Sequence, residues 1–440
     1  MTSPLLHKEF RKLFAAQILS LLGIGVMTVS LSLSSFQFGG VSAGGRILGG
    51  ILALKMIAYV LIAPLAEPVL SRLPRRPVLA AIDLVRLGMV GLMGFATASW
   101  QVAALAFLFF AVSSGFTPLF QSVLPDLLPD EESYSKALAL SRIAYTLESI
   151  LSPTIAAAAL WYLKAGDLFF LASVCFVGSV AALLVTQFPE VLAPQKSPFL
   201  QRLSRGIRIY VKTPRLRGVF LINLALALAM AWVLVNTVVY AGARLGNPDH
   251  YYTLLMACYG VGAASAALLV PKLVARAGER RVMASGAFLF AALGLTILLA
   301  PPVPGLIVLW FGFGAASSLV LTPGGLVIAR SAERANRPAV FAAQFSLSHA
   351  GWLVAYPLAG WLGSVLSPEP ALVVLSMACA FVTIVALRIW PASEERTLEH
   401  SHAHLPPDHP HLRDHPAAGK IHSHDYYIDD LHPRWPGLAA

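Results

Sequence analysis

The sequence predicts an all-α integral membrane protein with twelve transmembrane helices, arranged as two parallel six-helix repeats and followed by a disordered histidine-rich tail. The chain is 57% hydrophobic and only 12% charged, whereas soluble domains carry about 25% charged residues. Apolar stretches of about 20 residues, the length that spans a bilayer as a helix, recur along the chain. Prolines and arginines of the first half also recur at matching positions in the second half. These features exclude a soluble domain, and no segment resembles a nucleic-acid-binding fold.

Twelve segments are long and apolar enough to be transmembrane helices. The first is too long for a cleaved signal peptide, and further spans follow it at once. We expect an N-terminal half (1–190), an amphipathic linker (191–213), a C-terminal half (214–391) and a tail (392–440). The predicted spans are 10–36, 46–70, 78–97, 101–124, 136–163, 167–188, 214–243, 249–275, 281–300, 304–331, 337–366 and 369–391.

Basic residues divide the loops into two alternating sets, one rich and one poor in lysine and arginine. The positive-inside rule places the rich set in the cytoplasm. We therefore expect a multi-pass protein of a bacterial inner membrane with both termini in the cytoplasm. The rich set comprises Lys8, Arg11, Lys12, Arg72, Arg75, Arg76, the segment 196–217, Lys272, Arg276, Arg280, Arg281, Arg330, Arg334 and Arg337.

The interior connection 189–213 alternates basic and apolar residues. Arg205 and Arg208, for example, are interleaved with Ile207 and Tyr210. This spacing predicts a basic amphipathic helix on the inner membrane surface. A plain linker between the two halves explains the pattern equally well.

Proline and arginine landmarks recur at one offset in the two halves. Two parallel six-helix repeats are a transporter architecture. Proline bends helices by removing a backbone hydrogen bond, and matched bends favour a rocking motion, although they could serve bundle shape alone. The matched pairs are Arg72 and Arg276, Pro153 and Pro357, each 204 residues apart, and Pro118 and Pro323, 205 residues apart.

Ionisable residues inside a span are costly and are functional candidates by default. Glu148 lies near the middle of span five, and His349 near the middle of span eleven, its symmetry mate. A carboxylate and an imidazole there could bind a divalent cation or exchange a proton. Alternatively each makes one buried hydrogen bond, Glu148 with Arg142. Lys55 in span two either repels cations, which would favour an anionic substrate, or pairs with Glu148.

Asp83 and Arg86 are three residues apart at the inner end of span three. That spacing lets them pair on one helix face. We expect a structural contact at the gate rather than a part in transport.

The tail contains nine of the twelve histidines. Imidazole and carboxylate are ligands for Ni²⁺, Co²⁺, Zn²⁺ and Cu²⁺. Six prolines after residue 400 and alternating polar residues predict disorder. Such a tail suits metal capture that raises the local ion concentration near the carrier. The predicted metal ligands are His400, His402, His404, His409, His411, His415, His422, His424, Asp425 and His432.

The loops after spans two and eight, 71–76 and 276–281, carry related basic motifs. They resemble the loop G-x-x-x-D-R-x-G-R-R of the major facilitator superfamily, which is often echoed between helices eight and nine. In that superfamily the loop helps to hold the inner gate in the outward-facing state. Ser71 occupies the acidic position here, so Glu67 or Asp83 would have to supply the charge. The resemblance assigns the gate role to Arg72, Arg75, Arg76, Arg276, Gly278 and Arg280.

Two further segments are similar to particular groups within that superfamily. Residues 75–79 leading to 83–86, together with Lys55, are typical of the exporter group that includes the enterobactin exporter. The tail segments 422–426 and 431–436 resemble those of nickel-resistance exporters of the NreB type.

The resemblance implies a monomeric, non-enzymatic exporter with no resident cofactor. It would move nickel, and alternatively cobalt or zinc, out of the cytoplasm in exchange for protons. The sequence contains no G-x-x-x-x-G-K-[ST] phosphate-binding loop, so an ion gradient would drive transport. The alternatives are export of an organic compound such as a siderophore or drug, a membrane-bound metal sensor, and uptake instead of export.

Overall fold

A computed structural model describes residues 4–62, 73–128, 130–188, 199–333, 336–392, 397–401, 421–429 and 431–435. Within these ranges the chain is almost entirely helical. Seven helical segments there are long and apolar enough to cross a membrane by length and composition, and the first of them, Lys8–Ile62, is 55 residues long. Large apolar side chains such as Leu268 and Leu299 are exposed on the outside of the bundle, as expected where lipid replaces water.

The first two predicted spans lie in one long helix, α1 (Lys8–Ile57), which continues as a π-helical turn at Ala58–Ile62. Gly40 interrupts α1 with backbone angles of φ 55° and ψ −153°. A residue without a Cβ adopts this conformation readily, so the chain reverses there without an extended loop. The predicted second span ended at residue 70, but residues 63–72 lie outside the described ranges.

The rest of the N-terminal half follows the predicted spans closely. The fourth span is divided at Gly115 into two helices, so Pro118 lies in the first turn of the second one. Pro153 lies inside the helix of span five. The helices are α2 (Arg75–Met93), α3 (Ser99–Ser113), α4 (Phe116–Leu127), α5 (Glu131–Ala159) and α6 (Leu168–Val185).

The C-terminal half contains one helix for each predicted span, preceded by the linker helix α7. Pro323 and Pro357 lie inside the helices of spans ten and eleven. The helix of span seven ends at Gly246, whose backbone is in the left-handed conformation (φ 72°). This position at the end of a helix favours glycine. The helices are α7 (Phe199–Lys212), α8 (Pro214–Leu245), α9 (Pro248–Ala277), α10 (Glu279–Leu295), α11 (Val303–Arg330), α12 (Arg337–Leu366) and α13 (Pro368–Ile389).

The internal repeat is visible in equivalent contacts of the two halves. The Arg76 guanidinium at the start of α2 donates to the carbonyl of Leu184 in the last turn of α6. Its counterpart Arg280, 204 residues later, donates to the carbonyls of Leu387 (2.7 Å) and Trp390 (3.0 Å) at the end of α13. Cations are favourable at helix C-termini, where carbonyls lack intrahelical partners.

The linker helix α7 packs its apolar face on the protein itself. Ile209 and Tyr210 are buried, and the Tyr210 hydroxyl donates to Oε1 of Gln344 in α12. A Cβ added to Gly206 would lie 1.9 Å from the carbonyl oxygen of Ala339, so glycine permits the close approach of the two helices. The apolar side that the sequence assigned to the membrane surface is thus covered by the C-terminal half.

The tail is not wholly disordered, and the sequence prediction is wrong for its described parts. Strands β1 (Thr397–Ser401) and β2 (Ile421–Asp425) pair antiparallel, with Thr397 opposite Asp425. Beyond β2, Tyr426 and Ile428 are buried in a cluster with α7 and the adjoining ends of α8, α11 and α12. The prolines that predicted disorder lie mostly between the two strands, in residues 402–420, outside the described ranges.

Candidate transport site

The carboxylate of Glu148 lies against α1 in the interior of the bundle. The Ser152 hydroxyl, one turn further along α5, donates a 3.4 Å hydrogen bond to Glu148 Oε1. A Cβ added to Gly25 of α1 would lie 2.1 Å from Glu148 Oε1 and 2.0 Å from Ser152 Oγ. Glycine at position 25 is therefore what allows the carboxylate and the hydroxyl to reach α1.

The ammonium of Lys55 lies over two aromatic rings. Its Nζ is 5.1 Å from the centroid of Phe110 and 5.8 Å from that of Tyr59, distances at which a cation is attracted by a ring face. Lys55 also interacts electrostatically with Glu148 and with His349. Although the side chains of Lys55 and Glu148 are both described, no direct ion pair joins them. The predicted pairing of Lys55 with Glu148 is thus not a direct contact here, although each side chain influences the charge of the other.

His349 enters the same region from the C-terminal half. Its Nδ1 lies 2.7 Å from the carbonyl oxygen of Phe345 in α12. Its ring centroid is 3.9 Å from that of Phe345 and 5.5 Å from that of Tyr59, with the Tyr59 ring in an edge-on arrangement. Tyr59 is therefore a neighbour of both Lys55 and His349. One region of the bundle brings together an acid, a base and an imidazole from both halves.

The sequence prediction missed the residues that shape this region. Tyr59 and Phe110 read as ordinary span residues, and only their proximity in space gives them a role around Lys55. Ser152, four residues after Glu148, and the glycine at position 25 were recognisable as partners only through helix packing. The side chain of Arg142 is outside the described part of the chain, so its hydrogen bond to Glu148 stays a prediction.

Asp83 and Arg86 form the centre of a buried polar network rather than an open site. Arg86 Nη1 donates to Asp83 Oδ1 at 2.7 Å, and the exposed fractions of the two side chains are 2% and 0%. Arg86 also donates to the Ser113 hydroxyl (2.9 Å), while the Ser179 hydroxyl donates to Asp83 Oδ2 (2.5 Å). Arg86 Nη1 donates to the Ser20 hydroxyl as well (2.9 Å). The network joins α1, α2, α3 and α6, as a structural contact would.

The predicted gate loops lie at the end of the bundle where α1 begins. Gly278 has a φ of 79° between α9 and α10, which explains why a glycine is favoured there. Arg280 and Arg76 bind the carbonyl groups described above. The neighbouring Glu279 is buried and accepts from the guanidinium of Arg330 in the last turn of α11. Arg75 and Arg276 lie in the terminal turns of α2 and α9, while Arg72 is outside the described ranges.

The described part of the tail places two imidazoles together. The ring centroids of His424 and His432 are 5.1 Å apart, and that of Tyr426 is 4.7 Å from His432. His432 is 3% exposed, and its Nδ1 lies 2.8 Å from Asp429 Oδ1. Desolvation opposes ionisation of Asp429, but hydrogen bonds from His432 and from the amide of Leu431 outweigh it and lower the pKa of this carboxyl. Burial, with the nearby Asp429 carboxylate, raises the pKa of Tyr426 to about 12.

Several of the other predicted metal ligands lie outside the described residues. In the described residues, no three His, Cys, Asp or Glu side chains form a group ready to hold a metal ion. Asp425 ends β2, and its Oδ1 accepts a 3.4 Å hydrogen bond from Thr397. The backbones of His400 and His422 lie in the strands. His402, His404, His409, His411 and His415 lie outside the described ranges.

Comparison with known proteins agrees with this fold. Residues 219–421 match the model of the Major Facilitator Superfamily. The uncharacterized MFS-type transporter YvqJ of Bacillus subtilis (strain 168) is 24% identical over 357 residues, which cover 78% of this chain and 83% of that protein.

Solved transporter structures share the fold at low sequence identity. The nucleoside transporter NupG superposes with a TM-score of 0.71 at 13% identity, covering 88% of this chain and 100% of NupG. A bacterial homolog of the human lysosomal transporter Spinster, in an inward-facing and unoccupied conformation, has a TM-score of 0.69 at 12% identity, covering 87% and 96%. A D-xylose-proton symporter has a TM-score of 0.66 at 14% identity, covering 88% and 99%.

The molecule is a multi-pass, all-α membrane protein with the major facilitator fold. The family model matches fewer than half of the residues and the Bacillus relative is 24% identical, so both are similarities to transporters of the major facilitator superfamily, and the solved structures show the shared fold. This class moves solutes across a lipid bilayer and is generally not enzymatic. The named neighbours transport nucleosides and sugars, so they do not define the substrate of this chain.

Proposed function

We propose that this protein exports a divalent metal ion from the bacterial cytoplasm in exchange for protons. Nickel is the favoured ion, with cobalt and zinc as alternatives. The observation that carries the proposal is that Glu148 and His349, an acid and an imidazole from opposite halves, each interact electrostatically with the same residue, Lys55. The nine-histidine tail supplies the independent argument for a metal.

Glu148 and His349 suit competition between metal and proton. A metal ion would bind the ionised carboxylate of Glu148 and the neutral imidazole of His349 in the state open to the cytoplasm. A proton that adds to the carboxylate oxygen on the other side breaks the metal–oxygen bond and releases the ion. Lys55 would attract the ionised carboxylate of Glu148 while no metal is bound, because opposite charges attract.

The topology and the tail support the direction of transport. The basic loops are those at the end of the bundle where α1 begins, and the positive-inside rule assigns that end to the cytoplasm. The tail docks at the same end. A tethered set of imidazoles there would raise the ion concentration at the inner entrance, which serves export. This orientation fits an inner-membrane protein, and a monomer suffices because both ligands come from one chain.

A second candidate function is export of an organic anion. The Lys55 ammonium lies over the rings of Tyr59 and Phe110. A cation among aromatic rings suits an apolar body that carries a negative charge. The similarity to a nucleoside transporter and to a D-xylose-proton symporter also favours this alternative.

Tolerance assays in a metal-sensitive bacterial strain separate the two functions. The strain would express the full chain, the chain ending at residue 392, Glu148→Gln or the control Glu369→Gln, whose carboxylate pairs with the half-exposed Arg244 outside the site. Nickel, cobalt, zinc, copper and a panel of drugs would be tested, with cell-associated metal and membrane abundance measured.

We expect the full chain and Glu369→Gln to lower cell nickel and raise tolerance, truncation to reduce the effect, and Glu148→Gln to abolish it at normal abundance. Unchanged nickel tolerance combined with altered sensitivity to an organic anion would overturn metal export and favour the second candidate.

A further inference from the structure

Glycines join the two halves of the bundle near the end that contains the reversal at Gly40, which we call the outer end. A Cβ added to Gly49 of α1 would lie 2.6 Å from the carbonyl oxygen of Tyr356 in α12. A Cβ added to Gly360 of α12 would lie 2.3 Å from the carbonyl oxygen of Gly45 in α1. Small residues let helix backbones approach this closely inside a membrane. The two helices therefore leave no space for a solute between them at this level.

Asn236 of α8 occupies the place where α1 and α12 meet. Its side chain is 1% exposed, and its Nδ2 donates a 2.9 Å hydrogen bond to the carbonyl of Ala359 in α12. A Cβ added to Gly45 would lie 2.6 Å from Asn236 Oδ1, and one added to Gly363 would lie 2.3 Å from it. The amide thus binds α12 of its own half and abuts α1 of the other half.

The oxygen of the same amide is buried without a hydrogen-bond donor among the described residues. Contacts with glycine Cα–H groups compensate for a missing donor only weakly. A buried acceptor without a donor raises the free energy of the arrangement that buries it, and separation of α1 from α12 would give this oxygen access to water. Asn236 therefore both stabilises the closed contact through Nδ2 and limits its stability through Oδ1, as a contact that must open and close requires.

Other contacts indicate that the halves are closed at the outer end and apart at the opposite, inner end. The hydroxyl of Tyr252 in α9 donates to that of Ser32 in α1 at 2.9 Å, and both side chains are buried. One cluster of buried apolar residues extends through both halves. At the inner end, the described apolar residues form two separate clusters, one around Phe120 in the N-terminal half and one around Val340 in the C-terminal half.

The two helices of the glycine contact also carry ionisable residues of the candidate transport site. Lys55 follows Gly45 by ten residues in α1, and His349 precedes Ala359 by ten residues in α12. Ten helical residues extend about 15 Å. Because each helix is continuous between the two positions, opening of the outer contact would also move Lys55 relative to His349.

We propose that Gly45, Gly49 and Gly360 form the closing contact of an outer gate, and that Asn236 is the positioning residue that sets how readily this gate opens. The gate goes beyond metal export, since it depends on the transporter fold and on no particular solute.

Distances between spin labels on the full-length protein in lipid nanodiscs test the gate, by double electron–electron resonance. The outer pair would be Trp161→Cys and Leu299→Cys, at side chains that are 81% and 80% exposed on opposite halves. The inner pair would be Val185→Cys and Lys272→Cys, both exposed. The background would carry Cys175→Ala, Cys258→Ala and Cys379→Ala.

We expect the unaltered gate to give a short outer distance. Gly49→Ala should make a longer outer distance the major one, whereas Gly50→Ala, whose Cβ meets no atom within 4 Å, should change nothing. Asn236→Asp has nearly the same shape but lacks the Nδ2 donor and buries a charge, so it should raise the ratio of open to closed outer ends about tenfold or more. Asn223→Asp makes the same change earlier in α8 and should leave the ratio unaltered.

The inner pair distinguishes opening of a gate from a general loosening of the fold. Two halves that rock about a central site close the inner end as the outer end opens, so each longer outer distance should be accompanied by a shorter inner distance. Equal distances in Gly49→Ala and Gly50→Ala, or a longer outer distance with an unchanged inner one, would overturn the gate. Equal ratios in Asn236→Asp and Asn223→Asp would overturn the role of Asn236. No solute is added, so failure of metal export in the tolerance assays leaves these results unaffected.

Discussion

The two halves of the molecule share a fold but stabilise their interiors differently. In the N-terminal half, Asp83 and Arg86 are buried together within a network of serine hydroxyls, and Lys55 and Glu148 add two further ionisable side chains within the spans. In the C-terminal half, much of the interior is aromatic: the Trp310 ring centroid is 6.2 Å from that of Trp232 and 5.7 Å from that of Phe313. The ion pair of Glu279 and Arg330 in this half lies at the helix ends, outside the aromatic cluster.

The aromatic cluster of the C-terminal half satisfies its indole donors with neutral hydrogen bonds. The indole of Trp232 donates to the carbonyl of Pro368 (2.7 Å), and that of Trp310 to the hydroxyl of Thr237 (3.1 Å). A neutral donor costs far less to bury than a charge. Under the proposed mechanism, the N-terminal half would contribute Glu148 and Lys55, and the C-terminal half would contribute His349.

Removal of one member of the buried ion pair should give the largest effect on stability. Arg86→Met leaves Asp83 as an uncompensated buried charge, and breaking a buried pair in this way costs about 3–5 kcal/mol. The measurement is chemical unfolding of the purified protein in detergent. The matched control is Arg244→Met, whose partner Glu369 lies in a half-exposed pair worth about 0–1 kcal/mol.

A double variant sharpens the same comparison. Asp83→Leu with Arg86→Met removes both charges, so it should be more stable than Arg86→Met alone, because an apolar pair can replace an ion pair at little cost. If Arg86→Met and Arg244→Met had equal unfolding free energies, the difference between the two halves would not lie in their buried charges.

The next prediction concerns the close packing of α1 against Glu148 rather than charge. Gly25→Ala places a Cβ on top of Glu148 and Ser152, so α1 and α5 must separate, at a cost of about 1–3 kcal/mol for overpacking. We expect transport to fall sharply in efflux assays. Gly50→Ala in the same helix meets no atom within 4 Å and should transport normally. Normal efflux by Gly25→Ala would show that the position of Glu148 is unimportant.

The sequence predicted those parts of the molecule that depend on composition and local spacing. Hydropathy alone located the spans, since a bilayer-crossing helix requires a long apolar segment. The three-residue spacing of Asp83 and Arg86 predicted their pairing on one helix face. The repeat was detectable because prolines and arginines recur at one offset, and Arg76 and Arg280 make equivalent contacts in the structure.

Features that depend on packing between segments distant in sequence could not be predicted. Proline content and polar alternation indicated a disordered tail, but Tyr426 and Ile428 find a surface built by the linker helix and the C-terminal half. The proximity of Tyr59 to His349 requires packing between the two halves, which no local pattern records. For the same reason, glycine at position 25 could not be linked to Glu148 from the sequence.

If Lys55 and Glu148 interact, the effects of substituting them on the efflux rate should be non-additive. Neighbouring groups show coupling energies of about 0.5–3 kcal/mol in double-mutant cycles. Lys55→Met should slow efflux, because Glu148 loses its countercharge, and Lys55→Met with Glu148→Gln should be no worse than Glu148→Gln alone. Efflux rates of the four proteins in vesicles with an imposed pH gradient give the coupling energy. Strictly additive losses would mean that the two residues act separately.

The smallest expected effect compares the contributions of Arg76 and Arg280, which make equivalent contacts in the two halves, to the free energy of unfolding. Arg280 binds two carbonyls at a helix end and is partly buried, whereas Arg76 is exposed. Favourable cation interactions at helix C-termini contribute about 0.3–1 kcal/mol and increase with burial. Arg280→Ala should therefore lower the free energy of unfolding more than Arg76→Ala, by the same detergent assay. The reverse order would show that the N-terminal loop carries more of the gate's stability, and that the difference between the two halves extends from their interiors to their loops.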